Sequence, residues 1–166
     1  MISASTEPQA AAGDGAHRER AAPSGLEIGI AFFAVLHLGL AVLMAADPHL
    51  FYKDIGPFGA YNSHYIRDVS TFYAAFGAGL AISLVRPSWR VPALAMTTIQ
   101  YGLHSINHLF DIANAHPAWT GYFDFFSLAA ATLLLASLTR AAAAAARRQH
   151  AAATRAPSPD RQGALR

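Results

Sequence analysis

Four apolar stretches, residues 26–46, 62–85, 91–112 and 118–139, leave this chain few ways to fold. Each is close to the ~20 residues that carry an α-helix across a ~30 Å hydrocarbon core at about 1.5 Å per residue. Asp47-Pro48 ends the first and Arg86-Pro87 the second; Pro92 lies in the first turn of the third, where a missing N–H does no harm. Apolar residues run all round these helices, so a soluble four-helix bundle would be left without a polar face. Charged residues make up 13% of the chain, about half the usual share, which also argues for a bilayer. The expected fold is all-α: a four-transmembrane-helix up-down bundle over 26–139, with the loop 47–61 as an extracytoplasmic cap.

The flanks give a direction. Arg18 and Arg20 precede the first span, Arg86 and Arg90 separate the second from the third, and Arg140, Arg147, Arg148, Arg155, Arg161 and Arg166 follow the fourth. Lys53 alone lies on the other side, so the basic bias puts both termini in the cytoplasm. Phe51, Tyr52, Phe58, Tyr61, Tyr65, Trp119 and Tyr122 mark the outer interface, and Trp89 the inner one. Residues 1–25 lack the apolar core and cleavage site of a secretory signal and read as a disordered cytoplasmic tail. Residues 140–166 read as a helix extension through the alanine run 141–146, then a disordered basic tail. A formal charge of +2 suggests no nucleic-acid partner, and the absence of cysteine excludes disulfides, thiolate nucleophiles and cysteine metal sites.

Ionisable groups inside a membrane cost at least ~2.5 kcal/mol each and call for a reason. The second span opens with Asn62, His64, Arg67 and Asp68; the third carries Gln100, His104, Asn107, His108 and Asp111; the fourth has Asp124 and the first His37. Counted by rise per residue, Arg67, Asp68, His108, Asp111 and Asp124 share one outer-leaflet layer although they come from three helices, and His104 lies about a turn deeper. Gln100, His104, His108 and Asp111 fall on one helical face, as do His64, Asp68 and Thr71. Ala75 and Gly79 are expected to let the second span approach a neighbour closely.

Each group has two readings. Arg67 either pairs with Asp68 or Asp124 to fix helix packing, or anchors an anionic head group or substrate. His108 and Asp111, one turn apart, suit a metal by chemistry but equally a hydrogen-bonded pair, and no metal site is assigned. His37 and His104, at similar depth, are either separate core histidines or two axial ligands of a haem. Asp124, among Phe123, Phe125 and Phe126, is either a paired structural carboxylate or a proton-handling acid.

The arrangement resembles the small four-helix DoxX-like bacterial membrane proteins. The likeness covers about residues 26–139. It is carried by Asn62-x-His64-x-x-Arg67-Asp68 ahead of the stretch 73–79, and by His104-x3-His108-x2-Asp111. The resemblance implies a bacterial inner membrane and a setting near quinone-linked oxidoreductases, without assigning a catalytic residue. The expected function is binding of a small lipid-soluble molecule, a quinone being one candidate, as an accessory or redox-linked subunit. Asn62, His64, Arg67, Gln100, Asn107 and Asp111 are the ligand-binding candidates. The alternative is a membrane-embedded isomerase, cyclase or hydrolase with His108, Asp124, Asp68 and His104 in acid–base roles; a purely structural bundle is the third. The cofactor is unknown. Expected partners are the lipid bilayer, the ligand, and a homo-oligomer or larger membrane complex.

Overall fold

The chain folds entirely into helices and connecting turns among the described residues, 22–155 of a computed structural model. Most of the tail expected over 1–25, and the segment 156–166, lie outside the described residues. Helix α1 spans Gly25–Ala46, α2 Pro48–Asp54, α3 Ser63–Val85, α4 Arg90–Asp111 and α5 Ala118–Arg155; a 3-10 turn, Pro87–Trp89, joins α3 to α4. Three of them, α1, α3 and α5, are long and apolar enough to cross a membrane. α4 has the length but carries the Gln, His, Asn and Asp stripe, and falls short of that apolarity.

Local chemistry sets the helix ends. Ser24 and Glu27 form a capping box at the start of α1, the Glu27 carboxylate accepting from the Ser24 N–H at 3.0 Å. Asp47 ends α1 and caps α2 through the Leu50 N–H at 2.9 Å, with Pro48 in the first turn. The loop expected to be a cap thus contains a short helix of its own. Asn62 caps α3 through the Tyr65 N–H at 3.0 Å.

The helices pack as two hairpins. α1 lies along α3 and α4 along α5, while contact between the hairpins is thinner. Gly77 is the close approach of the first hairpin: a Cβ there would meet the Leu38 side chain at 2.8 Å and its backbone nitrogen at 3.0 Å. The expectation that Ala75 and Gly79 make this contact is corrected. Ala75 is exposed, and a Cβ on Gly79 would meet nothing nearer than the Ala93 methyl at 4.0 Å. In the second hairpin, hydroxyls meet across the helices: Thr98 with Thr139 at 3.0 Å and Ser105 with Thr132 at 3.3 Å. Each hydroxyl also lies within reach of the carbonyl four residues back, so in each pair one hydroxyl donates across the helices while its partner donates within its own helix. The double variant Thr98→Val, Ser105→Ala adds no bulk and removes both bridges. It should lower stability in detergent by roughly 1–2 kcal/mol, about 0.6 kcal/mol being typical of one such bond; a thermal melt unchanged from the parent would show that the bridges contribute nothing.

The hairpins join best at the basic end. Arg90 binds Glu27 at 2.8 Å and the Ser83 carbonyl at 3.3 Å, tying α4 to α1 and α3. Ile30, Phe33, Leu80, Leu94 and Leu135 fill the interior above this clamp and are fully or almost fully buried. Towards the capped end the hairpins separate, and that is where a cavity lies.

Candidate functional site

Spacing of four along α4 places Gln100, His104 and His108 in one row, and the side chains meet. The Gln100 amide nitrogen lies 3.5 Å from His104 Nδ1, and His104 Nε2 lies 3.0 Å from His108 Nε2. Phe58, from the cap, stands edge-on over His108, ring centres 4.8 Å apart and planes at 86°. Its loop is shaped by Gly59 in the left-handed region (φ 64°), whose carbonyl accepts from the Tyr52 hydroxyl at 2.6 Å. Asp111 and Asp124 both lie close enough to His108 to act on its charge. Asp111 also accepts from the Asn114 amide at 3.0 Å.

These groups form one edge of a cavity of about 550 Å³. His104, Asn107, His108, Asp111 and Asp124 line it, and Asn62 reaches it from its capping position. The opposite walls are apolar: Leu40 and Met44 of α1, Phe51 of α2 with Ile55 just beyond its end, Val69 and Tyr73 of α3. A cavity of this size and lining suits a small ligand with an apolar body and a polar end. Two polar atoms of residues that line it, His108 Nδ1 and Asp124 Oδ2, are buried with no hydrogen-bond partner among the described residues.

Three expected members stand apart. His64 and Asp68 pair with each other at 3.4 Å on the outside of α3, both largely exposed. Arg67 is exposed as well and reaches the Ala45 carbonyl at 3.5 Å, next to neither Asp68 nor Asp124 in any ion pair. Their azimuth turns all three away from the interior. Gln100 lies behind His104 and does not border the cavity. His37 is almost wholly buried, donates from Nδ1 to the Phe33 carbonyl at 2.7 Å, and is enclosed by Tyr73, Phe76 and Tyr101. His37 does not border the cavity that His104 lines. Among the described residues no three His, Asp or Glu side chains are grouped to hold a metal ion. Phe58, Tyr73, Tyr101, Met44 and Ser127 belong to the lining and were not among the sequence candidates; Phe58 stood out only as one interface aromatic among several.

No protein-family model, no curated protein and no solved structure matches the chain. The chemistry of the site therefore rests on its own geometry: a half-open, largely apolar space with a short row of hydrogen-bonding groups at one edge.

Proposed function

We propose that this chain is an integral membrane protein of four spans that binds a small lipid-soluble molecule, a quinone being one candidate, in the outer half of its bundle. The observation that carries the proposal is the cavity between the hairpins, with unpartnered His108 Nδ1 and Asp124 Oδ2 at the edge of otherwise apolar walls. Buried polar atoms of this kind are costly unless something else bonds to them, and a ligand with one polar end would do so.

α4 is the fourth span in this reading. Met96, Ile99, Leu103, Ile106, Leu109 and Phe110 are each at least half exposed and run down one side of it, away from the histidine row. An apolar outer stripe with polar residues turned inward is how a membrane helix carries costly side chains. The basic end lies in the cytoplasm, both termini with it, in a bacterial inner membrane. Single cysteines at Ser88 and Ser63 should then label from opposite sides of intact cells, Ser88 only after permeabilisation; outside labelling at Ser88 would reverse the orientation.

The likeness to DoxX-like proteins supports an accessory or redox-linked role through its second stretch, His104 to Asp111. A membrane-embedded isomerase, cyclase or hydrolase is the second reading, favoured by one feature: His108 and Asp124 border the same cavity and act on each other electrostatically. Native mass spectrometry of the purified protein separates the cases. Release of a lipid-soluble molecule from the folded chain supports the binding role. A protein that gives up nothing, and takes up no added quinone, overturns it.

A further inference from the structure

His104 and His108 meet nitrogen to nitrogen, Nε2 to Nε2 at 3.0 Å. Such a bond needs one N–H and one lone pair, so in a neutral pair one ring donates and the other accepts. That choice fixes the remaining nitrogen of each ring. When His104 donates, His108 keeps its proton on Nδ1, which is then a donor. When His108 donates, its Nδ1 is a bare lone pair and can only accept. The other end of the row tolerates both states. Gln100 approaches His104 Nδ1 at 3.5 Å, and turning its amide over exchanges an N–H for a carbonyl oxygen. No stronger bond holds that amide in one orientation, since Gln100 Oε1 is buried without a partner among the described residues.

The atom whose polarity changes belongs to a residue of the cavity wall. His108 lines the cavity, and its Nδ1 is buried and unpartnered, as is Asp124 Oδ2 nearby. A fixed donor at this place would suit a carbonyl oxygen, which only accepts, and would serve a phenolic hydroxyl poorly. A fixed acceptor would do the reverse. The histidine pair provides either at the cost of turning one hydrogen bond round.

We propose that the site recognises both members of a carbonyl–hydroxyl pair of one lipid-soluble molecule, of the quinone and quinol type, by reversing the His104–His108 hydrogen bond. The proposal rests on the reading above that the cavity binds a lipid-soluble ligand. Protons balance as follows. One crosses from His104 Nε2 to His108 Nε2, one leaves His108 Nδ1, and one is taken up at His104 Nδ1. The pair stays neutral. Water makes the exchange while the cavity is between ligands, and no electron passes through these residues.

The test uses the full chain in lipid nanodiscs with isotope-labelled histidine, and two probes: decylubiquinone and its chemically reduced quinol. Heteronuclear NMR of the ring nitrogens reports which one carries the proton, with His104→Gln and His108→Gln assigning the signals. The expected result is His108 protonated on Nδ1 with the quinone and on Nε2 with the quinol, His104 switching in step, and affinities for the two probes within about tenfold of each other. Binding of both probes with unchanged ring protonation overturns the inference and leaves the binding role standing. Binding of one probe alone also overturns it. If neither probe perturbs either ring or binds at all, the binding role falls and this inference with it.

Discussion

Gly77→Leu should melt well below the parent protein in detergent, by roughly 6–12 °C. The position leaves no room: even a single Cβ would press on the Leu38 side chain and its backbone nitrogen, and the backbone cannot step aside without parting α1 from α3. Overpacking of this kind costs about 3 kcal/mol, and a chain of this size loses a few degrees for each. Gly79→Ala is the control, two residues on along the same helix. Its new methyl would find only Ala93 at 4.0 Å, an ordinary contact, and alanine suits a helix better than glycine. That variant should melt at or slightly above the parent temperature. Equal losses at both positions would mean that the close contact of the first hairpin is not at Gly77.

His108→Ala should cost the protein its ligand and leave the fold largely intact. The side chain supplies the edge nitrogen of the cavity and half of the bond to His104, while the core of the bundle lies at the other end. Stranding His104 Nε2 should cost about 1–3 kcal/mol of stability, whereas retention of a co-purified lipid-soluble molecule should fall at least about tenfold. Asp124→Asn should weaken retention too. Because it shares the cavity edge with His108, the double variant should lose less than the sum of the two single losses. Arg67→Gln, on the outside of α3, should leave retention unchanged and add independently to Asp124→Asn. Quantitative extraction followed by mass spectrometry of the bound molecule reads every one of these variants. Retention unaffected by His108→Ala, or lost with Arg67→Gln, would place the site elsewhere.

The contrast between Arg67 and His108 shows what a one-dimensional reading can reach. Depth along a helix follows from counting residues, and that count is what grouped Arg67, Asp68, His108 and Asp124 in one layer. Azimuth is different, because each residue turns the helix by 100° and the packed face depends on partners in the other hairpin. The row on α4 was legible since it carries its own register: four groups at spacings of four and three must share a face, whichever way that face turns. Arg67 belongs to no such stripe, and the short one of His64, Asp68 and Thr71 faces outward, so sharing a face did not tell inside from outside. The same uncertainty separates Gly77 from Gly79, two residues and more than half a turn apart. Helix ends were better determined. Asp47-Pro48 and Arg86-Pro87 stop their helices where expected, and the Ser24 to Glu27 capping box was there to be read. The hydroxyl pairs of α4 and α5 were not. Thr98 and Thr139 lie far apart in the chain, and single hydroxyls in an apolar helix carry no mark of the partner they will find.

The last helix is much longer than a bilayer requires. At about 1.5 Å per residue its 38 residues extend roughly 57 Å, nearly twice a ~30 Å hydrocarbon core. Ala142 still packs against the bundle, but from Ala146 to Arg155 every residue is exposed. This final stretch is a free-standing rod, kept straight by the helix preference of alanine and by growth from a stem that is already wound. Arg155 stands about 15 Å beyond the last packed turn, at the end of a stretch that carries Arg147 and Arg148 as well, so the two ends of the bundle differ in kind: one is closed over by a short helix and its loop, the other runs out into a single basic helix with no neighbour among the described residues.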